Sequence, residues 1–182
     1  MAYAAAGRGL LVILAASALA ISACSTDGTW RTASRDSAGI APTPEEEPDA
    51  VVQIYAAKVW GARGLFADHT WTSVKPRGAD SYTVYEVIGW RKFRGRSVVR
   101  IAEDLPDRRW FGNEPRVLYE LRGDAAQAAA EGIAEAAESY PYPDEYTAFP
   151  GPNSNTFTQW LVENVEELDF SLPIRAIGKN FG

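Results

Sequence analysis

Clustering of apolar residues divides the chain from residue 50 onward into short strand-like runs followed by two helical ones. Residues 50–60, 65–75 and 81–90 are dominated by β-branched and aromatic side chains, with Gly61 and Gly64 after the first run and Pro76 to Asp80 after the second. Such side chains suit a pleated, half-buried surface. The loop between the second and third runs has turn chemistry, which predicts an antiparallel hairpin. With Lys75 near Ser81, His69 comes to the region of Glu86 and Val87. Residues 91–96 then turn the chain, 97–102 return it as a second hairpin, and a loop with Pro106 and Pro115 leads to a strand at 116–121.

Here the period changes. Asp124 followed by Gln127 has the spacing of a capping box and opens an Ala-rich helix running to about Ser139, where Pro141 and Pro143 stop it. Few of its side chains are large, so it packs closely or lies near the surface. The second helix starts near Ser154. In it Phe157, Trp160, Leu161 and Val165 fall at i, i+3, i+4 and i+8, an apolar stripe that predicts the more deeply buried helix. The tail at 171–179 is apolar enough to pack back. An α+β domain, an antiparallel sheet with two packed helices, is the economical arrangement.

The amino terminus follows other rules. Residues 1–23 carry one charge, Arg8, then an apolar run over 10–21 and small residues before Cys24. That is the pattern of a secretory signal, and the run is shorter than the roughly 20 residues a membrane span needs. Ile21-Ser22-Ala23-Cys24 resembles the lipobox of bacterial lipoproteins, which implies cleavage before Cys24 and a lipid on its thiol. Cleavage after Ala23 by an ordinary signal pathway, leaving a free thiol, is the other reading. Each buried acyl methylene contributes about 0.8 kcal/mol, so two or three chains make a firm anchor. The expected division is a signal at 1–23, lipidated Cys24 with a solvated tether at 24–49, and one globular domain at 50–182. The expected place is the bacterial cell envelope, on a membrane facing the periplasm or the exterior.

Composition narrows the function classes. The net charge is −6, and residues 1–23 take away Arg8 and no acid, so the remainder carries 17 basic and 24 acidic side chains. This balance argues against general nucleic-acid binding. The chain has one cysteine and one histidine, which leaves no disulfide once Cys24 is lipidated and does not favour a zinc site. No cofactor is expected.

Two residues carry candidate chemistry. His69 titrates near neutrality and is the natural proton acceptor for a hydroxyl nucleophile; a packed strand histidine explains it equally. Ser154 sits where a rigid turn, Pro150-Gly151-Pro152-Asn153, meets a helix start, beside unpaired N–H groups and the positive end of the helix dipole. Oxyanion donors there would be the amides of Ser154 and Asn155 or the side chains of Asn153 and Asn155. A helix cap and turn account for the same residues. Arg91, Lys92, Arg94 and Arg96, with Arg100, Arg108 and Arg109, form a cationic set suited to anionic headgroups or cell-wall carboxylates, or to a solvated hairpin tip. Trp110, Phe111, Tyr140, Tyr142 and Trp160 line either a groove for a glycan or peptide or a core; core is favoured for Trp160.

The motifs His69-Thr70-Trp71, Tyr85-Glu86-Val87-Ile88-Gly89-Trp90, Asp107-Arg108-Arg109-Trp110-Phe111-Gly112-Asn113, Tyr140-Pro141-Tyr142, Gly151-Pro152-Asn153-Ser154-Asn155-Thr156-Phe157 and Ala176-Ile177-Gly178-Lys179 together resemble the bacterial family called domain of unknown function 3750. The order of parts is also similar to circularly permuted papain-like domains related to NlpC/P60 peptidases, in which a His-Thr strand comes first and a later Asn-Cys-Asn-x-Phe segment carries the nucleophile. Serine stands here where that group has cysteine. The resemblance implies an amide or ester hydrolase or acyltransferase with Ser154 as nucleophile, His69 as base, and Glu86 or Tyr85 orienting the ring. Its alternatives are an inactive binding module for a peptidoglycan or protein partner, with Asn153, Asn155, Arg108, Arg109 and Trp110 as contact residues, or a likeness of architecture alone.

Overall fold

The computed structural model describes residues 29–182, so the signal sequence and Cys24 lie outside the described residues. Five strands, β1 (Val51–Lys58), β2 (Asp68–Lys75), β3 (Thr83–Val87), β4 (Val99–Glu103) and β5 (Arg116–Arg122), form one antiparallel sheet in the order β4-β3-β2-β1-β5. Two helices, α1 (Gly123–Glu138) and α2 (Ser154–Asn164), cover one face. The fold is therefore α+β, as the pattern predicts.

Alternation sorts each strand between two cores. Val52, Ile54, Val74, Tyr85 and Val87 meet α1 and α2. Tyr55, Ala57, Trp71 and Val84 point the other way, under Trp110 and Phe111 from the β4–β5 loop. β2, at the centre, is buried along its whole length although six of its eight residues are polar or charged. Its pairing with β3 sets Thr72 opposite Tyr85 and Val74 opposite Thr83. Extending that register puts Lys75 level with Tyr82, one residue from the expected Ser81.

The first and third predicted runs end early, at Lys58 and Val87, and the second begins late, at Asp68. Gly89–Arg94 and Gly61–Leu65 are 3-10 turns, where extended chain was expected at 81–90 and at the start of 65–75. Both turns lie at the same end of the sheet, beyond Lys58, Asp68, Val87 and Val99.

α1 approaches closely because its inward face is small: Ala126, Ala129, Ala130, Ala136 and Ala137 are buried with Ile133. Gly132 lets α2's end come near, since a Cβ there would lie 3.2 Å from Val165. Phe157, Leu161 and Val162 are buried on α2, each contributing roughly 1.5–3 kcal/mol by leaving water. α2 is the more buried helix, as its stripe predicts. The expected capping box on α1 does not form: Asp124 pairs with Arg77 at 2.6 Å and Gln127 accepts from the Arg77 amide at 2.9 Å.

The segment expected to be a solvated tether is held against the second face from Ser34 onward. Asp107 gathers it, accepting from Ser37 Oγ (2.8 Å) and the amides of Ile40 (2.7 Å) and Ala41 (3.2 Å). Tyr82 donates to the Pro42 carbonyl, and Arg122 pairs with Glu47 at 2.6 Å. Polar and backbone bonds do this holding, so a scan for large apolar residues does not see it.

Candidate functional site

The turn before α2 is built as a helix cap. Asn153 Oδ1 accepts from the amides of Asn155 (2.9 Å) and Thr156 (3.3 Å), while its own amide donates to Thr156 Oγ1 (3.0 Å). That reciprocal pair satisfies helix donors that would otherwise be open. Asn153 Nδ2 then donates to the carbonyls of Ala148 (3.1 Å) and Ile177 (3.0 Å). Asn155 Nδ2 donates to the carbonyls of Asp68 (3.0 Å) and Ile177 (2.8 Å), and its Oδ1 accepts from Thr70 (2.9 Å). Thr156 Oγ1 donates to Gly178 (2.7 Å). The C-terminal tail thus docks on the cap, and Gly178 must be glycine there, with φ +93 and its Cα facing the Asn153 amide.

Of the expected oxyanion donors, the amide of Asn155 and both asparagine side chains are therefore engaged in holding the fold. Ser154 is 5% exposed, and its hydroxyl makes no hydrogen bond among the described residues.

His69 lies across the sheet from this cap. Thr70 points at α2, with its hydroxyl 3.0 Å from that of Thr158, and the neighbouring His69 side chain consequently points to the opposite face. There its ring stacks on Trp110 at 3.6 Å between centroids and 11° between planes, with Trp71 at 5.7 Å. No hydrogen bond joins His69 to Ser154 among the described residues. By this alternation the residue of β2 that faces the α2 start is Thr70, where His69 was expected.

Glu86 shares the His69 face, with Oε2 3.9 Å from His69 Nε2, beyond hydrogen-bond reach. Its carboxylate is fully buried and is held by two guanidiniums, Arg108 Nη2 at 2.5 Å and Arg100 Nη1 at 2.8 Å. Burial opposes ionisation of Glu86, but His69, Arg108 and Arg100 outweigh it and keep the carboxyl well below its usual range. Burial lowers the His69 pKa, which Glu86 only partly offsets, so the imidazole is neutral at pH 7. A neutral ring beyond hydrogen-bond distance leaves the two arginines as the partners of Glu86. Tyr85, the other residue expected to orient His69, faces the helices.

The remaining candidates also make contacts within the fold. Arg108 is buried, 5.8 Å from the Trp71 ring and 5.9 Å from Trp110. Arg109 pairs with Glu114 at 2.9 Å and donates to the Ser37 carbonyl, and Trp110 is 7% exposed. Arg100 and Arg108 do not belong to a cationic surface; Arg91, Lys92, Arg94 and Arg96 remain on one. Sequence reasoning missed Arg100 as a partner of Glu86 and Asp107 as the hub of the N-terminal strap. The pairing of Arg100 across from Glu86 on adjacent strands was the available signal.

The described residues contain no group of three His, Cys, Asp or Glu placed to hold a metal, and no helix among them is long and apolar enough to cross a membrane. Two recesses of about 460 Å³ each open on the surface, one between Phe149, Ile174 and the tail, the other between Pro42, Tyr82 and Asp104. No curated protein and no solved structure matches the chain. Residues 49–181 match the model of the family described as protein of unknown function (DUF3750), and the chain belongs to that family.

Proposed function

We propose that this protein is a cell-envelope lipoprotein whose domain is a non-catalytic binding module, held at a membrane by a lipid on Cys24 and directed at peptidoglycan or an envelope protein. The observation that carries the non-catalytic reading is the placement of Thr70, rather than His69, toward the start of α2. A serine alcohol far from ionised at neutral pH needs an adjacent base. His69 is neutral, stacked on Trp110 and on the other face, and the α2 cap has few open donors left. Both features support binding over acyl transfer.

The membrane part rests on the sequence pattern before Cys24. Mass spectrometry of protein recovered from membranes tests it: the N-terminal peptide should begin at Cys24 with a diacylglyceryl increment, and Cys24→Ala should lose it. Cosedimentation with isolated peptidoglycan sacculi, and crosslinking in intact cells against envelope proteins, test the partner. Capture in neither assay contradicts the binding role.

A further inference from the structure

The two 3-10 turns crown one end of the sheet, and that end exposes several large apolar side chains. Leu65 is 80% exposed, Phe66 58%, Phe93 86%, and Ile174 91%. Ile174 belongs with them because the next residue, Arg175, donates to the carbonyls of Gly64 and Leu65. Trp90 stacks on Trp110 at 5.9 Å and is itself 39% exposed. An apolar group of this kind, standing on turns instead of filling a core, calls for a covering surface.

Its charge is equally distinctive. Lys58, Arg63, Arg91, Lys92, Arg94 and Arg96 surround these side chains, and none of them forms a salt bridge among the described residues. The opposite end carries Glu46, Asp80 and Glu103, together with Asp49 and Asp124, which share Arg77. A chain of net charge −6 has thus gathered six cations at this end, against the two exposed acids Asp144 and Glu145 of the segment packed on Ser97 and Gly89. Exposed aromatics flanked by Lys and Arg are the composition that sits at a bilayer interface, where rings enter the headgroup layer and cations meet anionic lipid.

The path of the chain leads to the same end. Ser34 accepts from the Gly112 amide at 2.8 Å, and Arg35 lies 4.3 Å over the Phe111 ring, beside Trp110 and Trp90. Cys24 is five residues before Thr29, a distance that an extended chain spans in at most about 18 Å. A lipid there keeps this end, and not the acidic one, near the headgroups.

We infer that this end of the sheet docks on the surface of an anionic phospholipid bilayer, with Phe93 and Leu65 entering the interface and the acidic end facing away. The orientation rests in part on the lipid-anchor reading; the apolar and cationic surface does not.

The test uses the mature acylated protein, in which an introduced cysteine is the sole free thiol. Phe93→Cys and Asp80→Cys are each labelled with an environment-sensitive dye. Each is reconstituted in phosphatidylcholine–phosphatidylglycerol vesicles containing nitroxide lipid. The expected result is strong quenching at residue 93 and little at residue 80. Quenching at 93 should fall to the level at 80 in high salt, in vesicles without phosphatidylglycerol, or with Arg91→Glu, Lys92→Glu and Arg94→Glu combined. Equal quenching at both positions in acylated protein overturns the docking and leaves the anchor standing. If the protein carries no acyl group, the anchor reading fails, and the same label on the unacylated chain decides the docking. A salt-sensitive emission shift with anionic vesicles then supports it and no shift overturns it. A shift that grows with protein concentration without vesicles assigns the surface to a second copy and also overturns it.

Discussion

His69 shows how one residue can carry the marks of chemistry and serve packing. It is the only histidine, it lies 3.9 Å from a carboxylate, and its pKa is displaced. Yet the carboxylate belongs to Arg108 and Arg100, and the ring belongs to Trp110. Glu86→Gln should destabilise the fold by about 3–5 kcal/mol, because Arg108 is left buried beside a neutral partner; urea unfolding measures it. The pH dependence follows from two depressed pKa values. An imidazole with a folded pKa below its ordinary 6.5 contributes stability that is complete above pH 6.5 and is lost as pH falls toward the folded value. Glu86, depressed from 4.5, adds a second loss below that pH. Stability should therefore decline in two stages on acidification, and His69→Gln should remove the upper stage and, because His69 helps hold the Glu86 carboxyl down, move the lower stage to higher pH. An unchanged upper stage in that variant would show the histidine to be ordinary.

Among the elements, the turn before α2 is the most consequential. Asn153 caps two amides and ties residues 148 and 177 to the helix start, so Asn153→Ala should cost about 2 kcal/mol or more. Ser154→Ala, which removes no hydrogen bond, should stay within about 0.5 kcal/mol of the parent. Thermal melts of the two variants separate a cap from an idle neighbour; equal losses would contradict the assignment. The sequence made this element visible as a turn and helix start, and the stripe of Phe157 and Leu161 correctly marked the buried face. It misplaced the capping box, since Asn153 with Thr156 closes one without the acidic or amide residue sought at Asp124 and Gln127. Strands were legible because β-branched and aromatic residues clustered. Their faces were not, because in β2 both faces are buried and polarity gives no sign of which side Thr70 or His69 takes.

At the scale of the molecule, the strap of residues 34–49 was the largest departure from the sequence reading. Composition announces a solvated segment there, but Asp107 and the β4–β5 loop hold it with hydrogen bonds that depend on residues some 70 positions away. Long-range polar pairings of this kind leave no local pattern. The same strap starts beside the exposed apolar end, so it sets the direction from which the chain leaves the domain. The family match over 49–181 accords with the motifs read along the domain, from His69-Thr70-Trp71 to Ala176-Ile177-Gly178-Lys179. The papain-like comparison rested on two motifs in order, His69-Thr70 and Asn153 to Phe157, and its catalytic implication on the pairing of Ser154 with His69.

That pairing is open to direct measurement. The mature protein is incubated with a fluorophosphonate probe at neutral pH beside Ser154→Ala and His69→Ala, and adducts are read by mass spectrometry of the α2 peptide. No adduct is expected at Ser154 in the parent, because no base among the described residues hydrogen-bonds its hydroxyl. An adduct at Ser154 that disappears in His69→Ala as well as in Ser154→Ala would contradict the non-catalytic reading.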